Sequence, residues 1–100
     1  MTPEAEHYRE QLRAFLPELR ARFGVTELGL FGSRIRGDHR PDSDLDVLVR
    51  FAPNARVSLF TLFELEDSLG ERLGLKVDLA LKDTLKPHMG RRILAKVQYL

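Results

Sequence analysis

The sequence predicts an α/β (α+β) fold: a small sheet of three or four strands flanked by helices. Three observations predict it. Two stretches, Ala5 to Phe23 and Leu59 to Leu73, repeat apolar residues every three or four positions, the spacing of a helix with one buried face. Two others, Asp44 to Phe51 and Lys76 to Leu81, alternate apolar and polar residues, the spacing of a strand with one buried face. Gly24 and Gly74 stand where the two helical patterns end.

In chain order, Ala5, Tyr8, Leu12, Phe15, Leu16, Leu19 and Phe23 form the first helical stripe. Pro17 interrupts it and is expected to kink or divide the helix. Gly24 suits its C-terminal cap. Leu28 to Phe31 is a short apolar run that reads as a buried strand. Ser33 to Ser43 is polar and contains Gly37 and Pro41, so it reads as a loop or a short helix plus loop. In the next strand Leu45, Val47 and Val49 face the core and Asp44 and Asp46 face the other way. Pro53-Asn54 marks a turn. The second helix carries Leu59, Leu62, Phe63, Leu69 and Leu73 on its buried stripe, with Phe60 and Leu65 off it and free to face a partner. Gly74 ends it. In the last strand Val77, Leu79 and Leu81 oppose Asp78. A closing helix is expected from Pro87, a suitable first helical residue, through Ile93, Leu94 and Val97.

Composition narrows the function. With 100 residues, 43% hydrophobic and 31% charged, the chain suits one soluble globular domain, 1–100, rather than a disordered segment. A net charge of +1 argues against strong nucleic-acid binding. The absence of cysteine excludes disulfides and thiolate metal sites. No apolar run approaches the ~20 residues of a membrane span, and no signal peptide opens the chain, so a cytoplasmic protein is expected. There is no G-x-x-x-x-G-K-[S/T] loop, no G-x-G-x-x-G fingerprint and no G-x-S-x-G elbow.

The chemistry concentrates in Gly32-Ser33, the ten residues Arg34 to Ser43, and Asp44-Leu45-Asp46. Gly32 lets the backbone turn sharply and approach a ligand. The Ser33 hydroxyl and the unpaired N–H groups of a helix or turn starting there can hold phosphate. Asp44 and Asp46, two apart on a strand, share a face with their positions about 7 Å apart. Two such carboxylates repel unless a cation lies between them, and magnesium prefers a carboxylate or two plus phosphate oxygens. If the Asp78 strand lies beside theirs, three carboxylates converge. With triphosphate oxygens they could hold two metal ions about 4 Å apart, the arrangement of two-metal phosphoryl transfer. Taken singly, each feature has a bland explanation: a strand-to-helix turn, an edge-strand face, a surface carboxylate. Arg34, His39 and Arg40 read as solvated loop residues, His7 and His88 as surface residues, and Arg91, Arg92 and Lys96 as a solvated helix face.

The stretch LFGSRIRGDHRPDSDLDVLVRF, followed by KVDLA and the closing LKPHMGRRILAKVQYL, resembles the minimal nucleotidyltransferase branch of the DNA polymerase beta-like nucleotidyltransferase superfamily. The resemblance spans nearly the whole chain. It implies the nucleotidyltransferase fold with a small mixed sheet, and transfer of a nucleoside monophosphate, AMP foremost, from a nucleoside triphosphate to an acceptor hydroxyl. It implies that Asp44 and Asp46 bind two magnesium ions, that Asp78 completes the site of the ion activating the acceptor, and that Gly32 and Ser33 hold the β- and γ-phosphates of ATP. Arg36, of the Arg36-Gly37 pair common in this branch, would be a phosphate or acceptor contact. Larger members add a substrate domain that these 100 residues do not include. Minimal members resemble antitoxins that pair, and can oligomerise, with a helical HEPN-type toxin protein that they modify with AMP. The alternative from another class is a non-catalytic antitoxin that neutralises its partner by docking alone. Against it, none of the matched carboxylate or phosphate-loop residues is missing.

Overall fold

The computed structural model describes residues 2–84 and 97–100. The elements are α1 (Pro3–Phe23), β1 (Val25–Phe31), α2 (Ser33–Arg36), β2 (Leu45–Phe51), α3 (Leu59–Leu73), β3 (Val77–Leu81), a 3₁₀ turn (Lys82–Thr84) and β4 (Gln98–Tyr99). The four strands lie in the order β3-β2-β1-β4. β1 runs antiparallel to β2 and β4, and β2 runs parallel to β3. A parallel pair needs a long crossover, and α3 supplies it.

α1 begins where the Thr2 hydroxyl accepts the Ala5 N–H at 3.1 Å, with Pro3 in the first turn, where a missing N–H does no harm. It ends at Gly24, whose φ of 76° closes the last turn onto the Arg20 carbonyl. Pro17 does not divide it: one helix runs through all 21 residues. Arg13, whose carbonyl loses its partner, and Pro17 itself both lie on the exposed side, so the missing bond falls at the surface rather than in the core. Leu12 and Leu19, on either side of Pro17, stay anchored in the core.

One face of the sheet carries the core. Leu28, Leu30, Leu45, Val47, Val49 and Val77 meet Leu12, Leu19 and Phe23 of α1 and Leu65, Leu69 and Leu73 of α3. Arg22 pairs with Glu64, and Arg72 with Glu18, across the two helices. The buried stripe of α3 differs from the expected one. Leu65 is fully buried, whereas Leu59 and Phe63 are exposed along with Phe60. Leu65, Leu69 and Leu73 are spaced by four and stack on one side. A stripe started from Leu59 has a different phase: Leu62 packs against the core, while Leu59 and Phe63 turn away from it. β1 also starts earlier than expected, at Val25, which pairs with Phe51 across a register shift. Asp44 lies just before β2 rather than in it. β4, two residues long, has no counterpart among the expected strands. The helix expected from Pro87 falls outside the described residues, apart from Val97, which is in no regular element. No helix among the described residues is long and apolar enough to cross a membrane.

Candidate active site

The site forms on the sheet face opposite the core, where β1 ends and β2 begins. Asp46 pairs in register with Phe31, the last residue of β1, on one side, and with Asp78 of β3 on the other. Because Leu45, Val47 and Val77 point into the core, strand alternation sends Asp46 and Asp78 to the same opposite face, on strands about 4.8 Å apart. Asp44 precedes Leu45, whose N–H is held by the Lys76 carbonyl at 2.9 Å. The Asp78 strand therefore does lie beside the Asp44–Asp46 segment, the condition on which convergence of the three carboxylates depends.

Gly32 follows β1 with φ 84° and ψ −163°, and its carbonyl accepts the Ile35 and Arg36 N–H groups, starting α2. A Cβ at this position would stand 2.0 Å from Oδ2 of Asp46. Glycine is therefore required twice, by the left-handed φ and by the carboxylate against its Cα. Ser33 follows directly in the chain as the first residue of α2. The Ser33 and Arg34 N–H groups that open α2 have no intrahelical partner.

The electrostatics follow from the geometry. The Asp46 carboxyl is pushed up to about 6 from 3.8, first by burial, then by the negative charges of Asp78 and Asp44, with Arg36 opposing. Among the described residues none of the three carboxylates has an ion-pair partner. Asp46 is half-buried and Asp78 is exposed, so the cluster opens to solvent. Among the described residues no three Asp, Glu or His side chains stand together as a group that could hold a metal ion, so the three carboxylates share a face without forming a three-ligand site. Magnesium does not require one, because it binds through one or two carboxylates and completes its shell with phosphate oxygens and water. Hard oxygen donors, mutual repulsion and a cradle free of side-chain bulk at Gly32 fit that ion.

Arg36 is exposed at the end of α2, pairs with Asp38 at 3.3 Å, and is near enough for its charge to act on Asp46. Arg34 is not a solvated loop residue. It is 7% exposed, and its guanidinium donates to Glu4 and to the carbonyls of Ser43 and Pro41. His39, also expected to be solvated, is half-buried with Nε2 3.5 Å from Glu4. The sequence carries no signal for these contacts, since Glu4 lies 30 positions before Arg34.

Comparison with known proteins identifies the family. The sequence matches the nucleotidyltransferase domain family over residues 12–100. The chain belongs to that family. It is 44% identical over 95 residues to the protein adenylyltransferase MntA of Thermococcus cleftensis, covering 95% of this chain and 94% of the relative. A solved structure assigned as a minimal nucleotidyltransferase superposes with a TM-score of 0.72 at 35% identity, covering 91% of this chain and 94% of the other. A complex of a tri-AMPylated Shewanella oneidensis HEPN toxin with its MNT antitoxin matches with a TM-score of 0.66 at 18% identity, over 92% of this chain and 70% of that one, and so shares the fold. The four-stranded mixed sheet flanked by helices is the nucleotidyltransferase fold, and the chain is a minimal nucleotidyltransferase.

Proposed function

We propose that this nucleotidyltransferase is magnesium-dependent, takes ATP, and transfers AMP to a hydroxyl side chain of a helical HEPN-type partner protein, as the antitoxin of a toxin–antitoxin pair. The observation that carries the site assignment is the close approach of Gly32 to the Asp46 side chain, a strand-to-helix turn lying against a carboxylate. The adenylyltransferase relative, alike over nearly its whole length, supports AMP as the group moved. The AMPylated HEPN toxin bound to a protein of the same fold supports the partner.

Asp44 and Asp46 would hold the metal ions, and Asp78, on the solvent side, would complete the site nearest the acceptor. When bound, magnesium would neutralise triphosphate oxygens and make the acceptor hydroxyl easier to deprotonate. The Ser33 hydroxyl and the first N–H groups of α2 would donate to the β- and γ-phosphates, fixing pyrophosphate as the leaving group. Exposed Asp78 would orient the acceptor hydroxyl and help receive its proton as the oxygen attacks the α-phosphate. Arg36 would add positive charge at the mouth of the site. Catalysis would then rest on positioning and charge neutralisation. The test is to incubate the partner with this chain, magnesium and ATP labelled on either the α- or the γ-phosphate. Label retained from the α position alone supports AMP transfer; label from the γ position, or none, overturns it.

A further inference from the structure

Arg34 is the one buried charged side chain among the described residues, and no step proposed above uses it. Its three contacts are unusual in what they join. Nε donates to the Ser43 carbonyl at 2.8 Å, Nη2 to the Pro41 carbonyl at 3.3 Å, and Nη1 to Oε1 of Glu4 at 2.6 Å. The Ser43 carbonyl belongs to the peptide group that leads into Asp44. Arg34 itself follows Ser33 in the first turn of α2. One planar guanidinium thus spans the two ends of the segment separating the phosphate turn from the first carboxylate.

That segment has little else to hold it. It is polar, contains Gly37 and Pro41, and forms no strand. Most of its other bonds are local, as between Ser43 and Arg40, and the Thr2 hydroxyl adds a long one, 3.5 Å, to the Arg34 carbonyl. Its ends are fixed by α2 and β2, but the orientation of the Ser43–Asp44 peptide depends on what binds its carbonyl. Arginine suits this role, because its fork of fixed N–H donors holds several acceptors in a set relative geometry, which a lysine cannot do. Glu4 supplies the compensating charge, and its second oxygen lies 3.5 Å from His39, so the N-terminus of α1 braces the same segment.

We infer that Arg34 is a positioning residue of the transfer site, a latch that sets Asp44 relative to the Gly32-Ser33 turn and ties both to α1 through Glu4. The latch rests on the proposed reading of Asp44 as a metal ligand. It acts through Asp44 and touches no substrate. Groups that orient ligands act in this way at metal sites generally, and their loss weakens metal affinity while the fold persists.

The test uses the full chain with Arg34→Lys and Glu4→Gln, read by hydrogen exchange and by calorimetry with magnesium and a non-hydrolysable ATP analogue. Arg34→Lys is expected to speed exchange about tenfold at amides 38–44, with the core strands unchanged. It is expected to raise the magnesium concentration needed for half-maximal analogue binding about tenfold, with excess magnesium restoring binding. Glu4→Gln, which leaves the two carbonyl contacts in place, is expected to act in the same direction by about two- to fivefold. Both variants matching wild type at amides 38–44 and in magnesium requirement would overturn the latch. So would an Arg34→Lys protein in which every amide exchanges faster while the magnesium requirement stays the same, since that is a plain loss of stability. If Arg34→Lys does not fold, Glu4→Gln decides alone, and wild-type exchange at amides 38–44 overturns the proposal. A wild-type chain that binds no magnesium–ATP analogue would instead sink the proposed function and leave the exchange comparison to judge the latch.

Discussion

Replacing Asp46 with asparagine should stabilise the metal-free protein at neutral pH, although Asp46 is central to the site. In the folded chain its carboxyl titrates at about 6, against a reference of 3.8. Because the folded-state value is raised, the folded protein binds this proton more tightly than the unfolded chain does. The associated stability is fully present below 3.8 and is lost as pH rises through about 6. At about 1.4 kcal/mol per tenfold difference in proton affinity, the gap from 3.8 to about 6 caps the loss near 3 kcal/mol. Water reaching a half-buried carboxylate reduces this, so about 1–3 kcal/mol is expected. Asparagine keeps the shape and carries no charge. In a chelator at pH 7.5, Asp46→Asn should unfold above wild type by roughly 5–15 °C, on the usual scaling for a chain of this length. The two curves should converge near pH 4. Thermal unfolding followed by circular dichroism across that range is the assay. A variant less stable than wild type at pH 7.5, or an offset independent of pH, would refute the reasoning.

Further outcomes follow from the same geometry. Gly32→Ala should lower stability by about 1–3 kcal/mol in chemical denaturation, because alanine must hold φ near 84° and its methyl would meet Asp46. It should also abolish nucleotide transfer. Leu65→Ala should cost about 2–5 kcal/mol, whereas Phe60→Ala should change stability by less than about 0.5 kcal/mol, measured the same way, since only Leu65 is in the core. Asp78→Ala should lower the single-turnover transfer rate more than it weakens ATP-analogue binding by calorimetry, because Asp78 is exposed and is proposed to serve the acceptor.

What can be read in the sequence, and what cannot, divides by the range of the interactions. α1, α3 and β3 follow from short apolar periods, and the caps at Gly24 and Gly74 from local backbone geometry. The carboxylates Asp44, Asp46 and Asp78 stand out by spacing and resemblance, but their convergence depends on the pairing of β2 with β3, which no local pattern encodes. The phase of the α3 stripe is misleading because the helix turns the side of Leu62, Leu65, Leu69 and Leu73 to the core, so Leu59 and Phe63 look buried in a helical plot and are not. Pro17 weighs less than its chemistry suggests, since the burial of Leu12 and Leu19 on both sides of it holds the helix together. Gly32 is recognisable as a turn, but the second reason glycine fits there lies 14 positions away at Asp46. Arg34 is illegible for the same reason: in a stretch with Arg36 and Arg40 it looks solvated, and its partner Glu4 is distant in the chain.

The central claim is that the carboxylates beside Gly32 and Ser33 carry out AMP transfer to a protein partner, and intact-mass spectrometry of the partner tests it most directly. With wild-type chain, ATP and magnesium, the partner should gain one or more AMP masses. With Asp44→Asn it should gain none, although the variant stays folded. A partner that is neutralised without any change in mass, equally well by wild type and by Asp44→Asn, would contradict the account.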